Sequence, residues 1–460
     1  MFSFIAEKQI MLPVLKKLYG KAGLDSSITF TILTRIVQSV GGVLTLIMIT
    51  SFLNKNEQGY FYTFLSILAI RMFFEMGLTT ILTQYVAHEA AHLTWSNENQ
   101  LRGEEYYLSR LASIVQLSVK WFLILAVLMF LVLLFGGRFF FSKFNTQLNI
   151  SWQLPWLILS ISTCFILMLD LLLAILEGLG KINEIAKLRL VQQSVNLLLL
   201  GLFLFTNLKL LSHGLALFGS TIITSIILLG SGNFKMIKNL WQAQVKWKVN
   251  YKKEILPYQL RIALGNVSNY FVFQLFNPVL FATQGPIVAG QMGATQTFLN
   301  GIGVVSISWM STKIALFSNL VAKQKFRQLN LSFKKSTFIS VVVCFTGIIA
   351  FIVLVIVLKK YYPSLGNRFL GIEPIILLGL TQLANVIGTA QGYFLRSFKR
   401  DPFFISSIII GILTGVSTLI CSKYFGITGI AMSCFLINGV IGVIWGTIIY
   451  KHKKYEWTLK

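Results

Sequence analysis

The sequence predicts an all-α, polytopic membrane protein of about twelve transmembrane helices arranged as two six-helix halves. Three observations carry that expectation. Of 460 residues, 55% are hydrophobic and only 12% are charged, and the mean hydropathy is +0.74, a balance that soluble domains do not have. The apolar residues come in runs of about twenty, the length a bilayer demands. Finally, the 40 Lys and Arg, set against 15 Asp and Glu, crowd into alternate loops.

Twelve runs can be marked, at 28–53, 60–82, 113–135, 153–179, 188–207, 211–231, 262–283, 286–310, 336–358, 369–393, 403–425 and 427–450. The fifth and sixth are separated only by Leu208-Lys209-Leu210, so they form a tight hairpin or are miscounted. The halves are then 1–231 and 259–460, joined by a basic cytoplasmic linker at 232–258. Ahead of the first run stand Lys8, Lys16, Lys17 and Lys21 with no cleavage-like end after it, the pattern of an uncleaved anchor. Cys164, Cys344, Cys421 and Cys434 all fall inside apolar runs without a CxxC pair, and read as small core residues.

A net charge of +25 raises the question of nucleic acid, and the distribution of the charge answers against it. With both termini in the cytoplasm, most Lys and Arg lie in cytoplasmic segments, the heaviest blocks being Lys235 to Arg261 and Lys313 to Lys335. That is the positive-inside asymmetry, which sets orientation and attracts anionic membrane lipid. The expected location is a membrane crossed many times, with both termini on its cytoplasmic side.

Against this apolar background the intramembrane charges stand out, because each costs about 2.5–3.5 kcal/mol at the centre of a helix. In the stretch Glu57 to His92, Arg71 and Glu75 sit four apart in mid-span, on one helical side that must face protein or water. The first run carries Arg35 and Gln38. Because run one ascends and run two descends, Arg35 reaches about the depth of Glu75, roughly 10 Å from the cytoplasmic end at 1.5 Å per residue. An Arg35 to Glu75 bridge could lock this hairpin, or the pair could face substrate or a gate. Lys120 opens the third run and can snorkel to the interface or face a cavity. Asp170 lies deep in the fourth run with Glu177 seven residues on, along one face. Carboxylates so placed commonly bind or release protons in transporters, or else tie helices together.

The segment 83–112 is mixed in charge and is expected to be helical at the cytoplasmic surface. Its His88-Glu89-Ala90-Ala91-His92 matches HExxH letter for letter, yet nothing in the sequence supplies a third ligand, so a solvated helix face is preferred to a metalloprotease site.

Polar residues mark the second half. Asn266, Asn269, Phe273 and Asn277 recur at spacings of three and four, Gln296 and Asn300 at four, and Gln382, Asn385 and Thr389 follow in the tenth run. Such stripes serve interhelical hydrogen bonds or a hydrated lumen, and three in one half favour a lumen. A faint repeat relates Gly59-Tyr60-Phe61-Tyr62-Thr63-Phe64-Leu65 to Gly293-Ala294-Thr295-Gln296-Thr297-Phe298-Leu299, matched at Gly, Thr, Phe and Leu. Six runs apart, the two would share an orientation, as in parallel repeats.

The stretches Gln58 to Phe64, Phe74-Glu75-Met76-Gly77-Leu78 and Ala87-His88-Glu89, with Tyr393 to Pro402 late in the chain, resemble the O-antigen-type polysaccharide flippases of the multidrug/oligosaccharidyl-lipid/polysaccharide (MOP) exporter superfamily. The resemblance implies a V-shaped bundle whose halves alternately open a central cationic cavity. It implies an undecaprenyl-diphosphate-linked oligosaccharide as cargo, carried from the cytoplasmic to the outer leaflet for surface polysaccharide such as lipopolysaccharide, alongside other polysaccharide-assembly proteins. Helices one, two, seven and eight would line the cavity, placing Arg35 and Arg71 at the diphosphate, with Arg261 and Lys313 at the mouth. Chemistry agrees: arginines offer paired donors to phosphate oxygens, and amides suit sugar hydroxyls.

Three other functions compete. A multidrug exporter of the same superfamily would use a carboxylate-dominated lumen for cations, and a lipid II or teichoic-type flippase would differ in cargo. A membrane glycosyltransferase or polymerase would need external acidic groups, and the first external loop, Asn54 to Gln58, offers only Glu57. No cofactor is expected. Proton or sodium coupling through Glu75, Asp170 or Glu177 fits, as does use of the membrane potential.

Overall fold

The computed structural model describes residues 37, 41–97, 100–144, 150–398, 400 and 402–458, with backbone alone at 96, 97, 100, 258, 261, 315 and 458. Only a helix satisfies its own backbone in hydrocarbon, and nearly all of the described chain is helical. Among the described residues ten helices are long and apolar enough to cross a membrane, and a shorter apolar helix, α1 (Gly41–Phe52), precedes them. Each of the twelve runs coincides with helix, the first in its described part. The protein is a multi-pass membrane protein.

The second run is interrupted. Helix α2 (Lys55–Leu68) starts at a capping box in which the Asn54 side chain accepts from the Glu57 amide (2.8 Å) and Glu57 accepts from the Asn54 amide (2.9 Å). It ends before α3 (Arg71–Glu75), and α4 (Leu78–Ala90) follows after two consecutive left-handed residues, Met76 (φ 45°) and Gly77 (φ 70°). Glycine suits that second position for another reason: a Cβ there would strike Ile262. The segment 83–112, expected to be helical, is helical at both ends, up to Ala90 and from Glu105 on, but its middle forms an antiparallel hairpin, β1 (Leu93–Asn97) with β2 (Gln100–Gly103). Thr94 and Trp95 suit a strand, and Gly103 accepts the close approach of Leu93.

Helices α5 (Glu105–Phe144), α6 (Gln153–Gly178), α7 (Ile182–Phe205) and α8 (Leu211–Leu229) follow. The α7–α8 connection is a tight hairpin, closed by left-handed Asn207 and Lys209. Amphipathic α9 (Gly232–Gln242) buries Met236, Ile237 and Leu240, and the chain after it is lashed to α5. Ser109 Oγ accepts from the Lys246 and Trp247 amides (2.8 and 2.9 Å), and Gln116 donates to the Trp241 and Ala243 carbonyls (2.9 and 3.0 Å). The seventh run is also broken, into α10 (Leu256–Phe273) and α11 (Phe276–Gln284). Beyond it come α12 (Pro286–Ser311), α13 (Ile314–Ala322), α14 (Phe326–Tyr361), the short α15 (Pro363–Gly366), α16 (Ile372–Arg396), α17 (Phe404–Tyr424) and α18 (Gly426–Cys434). A π-helical turn, Phe435–Ile441, leads into α19 (Gly442–Thr458).

The two segments of the faint repeat lie against each other. Helices α2 and α12 cross with almost no side chain between them: a Cβ on Gly59 would strike the Pro286 carbonyl, one on Gly290 would come within 2.9 Å of the Gly59 nitrogen, and one on Gly293 would strike the Tyr62 ring. Small residues at a crossing let backbones approach, which is how membrane helices associate without a hydrophobic drive. Beside the crossing, buried Gln58 donates to the carbonyls of Gly290 (3.0 Å) and Arg368 (3.2 Å) and accepts from Arg368 Nη1 (3.1 Å). An aromatic cluster of Tyr60, Phe64, Phe141, Trp156 and Phe281 fills the space behind.

Candidate functional site

The break in the second run exposes polar chemistry halfway along a membrane helix. Arg71 and Glu75 bracket five-residue α3, and α6 brings up Asp170. Arg71 Nη2 lies 3.3 Å from Asp170 Oδ2, and Arg189 Nη1, from α7, lies 3.8 Å from Asp170 Oδ1. Glu75 accepts a hydrogen bond from the Thr79 hydroxyl one turn on. Together with Thr79, Thr80, Thr83, Gln84 and Glu177, these residues line a cavity of about 350 Å³. Of the three ion-paired residues Asp170 is the most buried, its side chain 17% exposed against 33% for Arg71 and 41% for Arg189. The cluster lies about 10–12 Å in from the α6–α7 connection at 1.5 Å per residue, so the cavity reaches well into the apolar bundle.

Of the residues singled out in sequence, Arg71, Glu75, Asp170 and Glu177 therefore share one site, with Arg71 paired to Asp170. Arg189 escaped that reading because it stands near the start of the fifth run, where a cation normally serves orientation. A depth argument finds it: in an antiparallel pair, Asp170 shortly before the end of α6 and Arg189 shortly after the start of α7 must lie level.

The remaining expected residues are dispersed. Asn269 lines a second cavity, of about 280 Å³. Gln296 and Asn300 line a small hollow of about 30 Å³ with Gln382, Asn385 and Asn438, and Asn300 also borders a cleft of about 230 Å³ against α1. Asn266 sits beside the Met76-Gly77 break. Asn277 serves an interhelical bond, donating to Ser66 Oγ at 2.9 Å. Lys120 is exposed on α5 and Lys313 at the α12–α13 junction; neither borders these cavities. Arg35, and the side chain of Arg261, lie outside the described residues, so the Arg35 to Glu75 bridge has no test here. No group of three or more His, Cys, Asp or Glu able to hold a metal occurs among the described residues. His92 stacks on Tyr107, centroids 4.0 Å apart, and Glu89 is bound by Arg110 Nε at 3.0 Å. The HExxH match is thus accounted for by packing and an ion pair.

No family profile matches the sequence, and no curated protein sequence matches it either. Solved structures do. A multidrug resistance MATE family transporter in an inward-facing conformation aligns over 92% of this chain and 99% of its own, with a TM-score of 0.66 at 13% identity. The lipid II flippase MurJ in an inward closed conformation aligns over 93% of this chain and 90% of its own, with a TM-score of 0.62 at 14% identity. The fold is that of the MOP superfamily transporters. A further MOP superfamily transporter, from Pyrococcus furiosus and described as having a binding pocket of reversed polarity, aligns over 94% of this chain and 96% of its own (TM-score 0.55, 13% identity).

Proposed function

We propose that this protein is a flippase that moves an undecaprenyl-diphosphate-linked oligosaccharide from the cytoplasmic to the outer leaflet of the bacterial cytoplasmic membrane by alternating access. The observation that carries this reading is the pair of arginines, Arg71 and Arg189, held on one carboxylate, Asp170, in a polar cavity inside an apolar bundle of transporter fold. A diphosphate and a carboxylate compete for the same guanidinium donors. With Asp170 ionised, Arg71 is occupied; a proton on Asp170 would release it to the phosphate oxygens, coupling cargo to a proton gradient. Residues 1–231 and 259–460 would act as the two rocking lobes about the 232–258 linker. With the sparsely basic loops outside, as the positive-inside rule would have it, the α2–α12 crossing would close the outer face. Gln58, bonded to the Gly290 and Arg368 carbonyls of the other lobe at 3.0 and 3.2 Å, supports that closure.

One observation favours a second reading. Glu75, Asp170 and Glu177 outnumber Arg71 and Arg189 in the cavity, which is the balance a multidrug exporter of cationic compounds would use. Proteoliposomes separate the two. The flippase reading expects translocation of a fluorescent polyprenyl diphosphate that Arg71→Ala abolishes while the protein still inserts. Export of lipophilic cations, with no movement of the lipid, would establish the exporter instead.

A further inference from the structure

A second polar cavity, of about 280 Å³, lies among α10, α16, α17 and α19, away from the charged cluster. Its chemistry is different in kind. Among the described residues no carboxylate borders it, and the ionic residue on its wall is Arg396. Asn269, Asn385 and Thr389 face it, and their side chains make no hydrogen bond to any described residue. Beside the wall, the Gln391 oxygen is buried and likewise without a partner, while its nitrogen donates to Thr447 at 2.9 Å. Amides left open inside an apolar bundle are costly unless water or a ligand meets them.

The cavity exists because of two glycine pairs, Gly388 with Gly392 on α16 and Gly442 with Gly446 on α19. Elsewhere in this chain small residues bring helices into contact; here a Cβ on Gly388 or Gly392 would project into open space. The π-helical turn Phe435–Ile441 adds a connection, since Asn438 on it, with Asn385, borders both this cavity and the hollow lined by Gln296 and Asn300. A volume close to 300 Å³ is at the lower end of ligand pockets, enough for a ring-sized group.

We infer that this cavity is a glycan subsite, which receives a hydroxyl-rich sugar of the lipid-linked cargo while its anionic headgroup is handled at the Arg71 cluster. Amides and hydroxyls both donate and accept, as sugar hydroxyls require, and the lack of carboxylates argues against a cation as occupant. The inference rests on the flippase reading above and adds where selectivity among glycans resides.

The test measures binding to the full-length protein in nanodiscs with two probes, bare undecaprenyl diphosphate and the same lipid carrying N-acetylglucosamine. Gly388→Leu, which fills the cavity from a position with room for a side chain, should weaken binding of the glycosylated lipid tenfold or more and change that of the bare lipid less than twofold. Equal binding of the two lipids by the unaltered protein, or a variant that binds both as before, would overturn the subsite. If Gly388→Leu loses both, the isosteric Thr389→Val decides: a loss of threefold or more confined to the glycosylated lipid supports the subsite, and no selective loss refutes it. Failure of the unaltered protein to bind either lipid would instead remove the flippase reading, and the subsite with it.

Discussion

Pairing between Arg71 and Asp170 can be measured by a double-mutant cycle, Arg71→Gln against Asp170→Asn. At 3.3 Å two unit charges attract by about 5 kcal/mol under an effective dielectric constant of about 20. Desolvation opposes this, and Arg71, 33% exposed to the cavity, is screened by water there. A coupling of about 1–2 kcal/mol should remain. The single variants should differ in order. Arg71→Gln leaves Asp170 its second partner, Arg189 at 3.8 Å, and should be the milder; Asp170→Asn takes from two guanidiniums the carboxylate that both of them pair with. The assay is reversible denaturant unfolding in detergent micelles, scored as the four free energies of the cycle. A coupling below about 0.4 kcal/mol, the ordinary limit for independent sites, or an Arg71→Gln cost exceeding that of Asp170→Asn, would show that the carboxylate does not hold Arg71.

Two further perturbations probe the frame around the site. Gly59→Val forces a side chain onto the Pro286 carbonyl, so it should destabilise by about 1–3 kcal/mol, as overpacking does, and lengthen the distance between spin labels on Lys55 and Gln291; an unchanged distance would mean that the crossing does not set closure. Glu254 is partly buried, which works against its charge, but hydrogen bonds from Arg110 (2.7 Å) and the Asn250 amide (2.8 Å) hold its carboxyl below the ordinary glutamate value of 4.5. A lowered folded-state value means that the carboxylate contributes stability above pH 4.5 and loses it as pH falls through the lowered value. Glu254→Gln should therefore be less stable than the parent at pH 7 and converge with it in acid, followed by thermal unfolding; a constant difference across pH would exclude the clasp.

Legibility in the sequence followed the physics. Runs of about twenty apolar residues define membrane helices by length alone, so the helices and the α7–α8 hairpin could be read without tertiary information. Intramembrane charge is costly enough to mark a site unaided, and Arg71, Glu75, Asp170 and Glu177 do converge. What remained hidden depends on neighbours. The Met76-Gly77 break looks apolar and continuous in sequence, yet α10 passes so close that Ile262 leaves no room for a side chain. Arg189 near a helix end looks like an orientation signal until Asp170 is placed level with it. The asparagine stripes announced polarity, but not that Asn277 would bond Ser66 while Asn269 and Asn385 face open space, because that depends on which glycines of α16 and α19 stand opposite.

The most direct test of the account is lipid analysis of a strain from which the gene is deleted. The account predicts that an undecaprenyl-diphosphate-linked oligosaccharide accumulates on the cytoplasmic leaflet, that restoring the gene clears it, and that the Arg71→Ala form does not. A deletion strain with unaltered lipid-linked glycans on both leaflets, sensitised instead to cationic drugs, would contradict it.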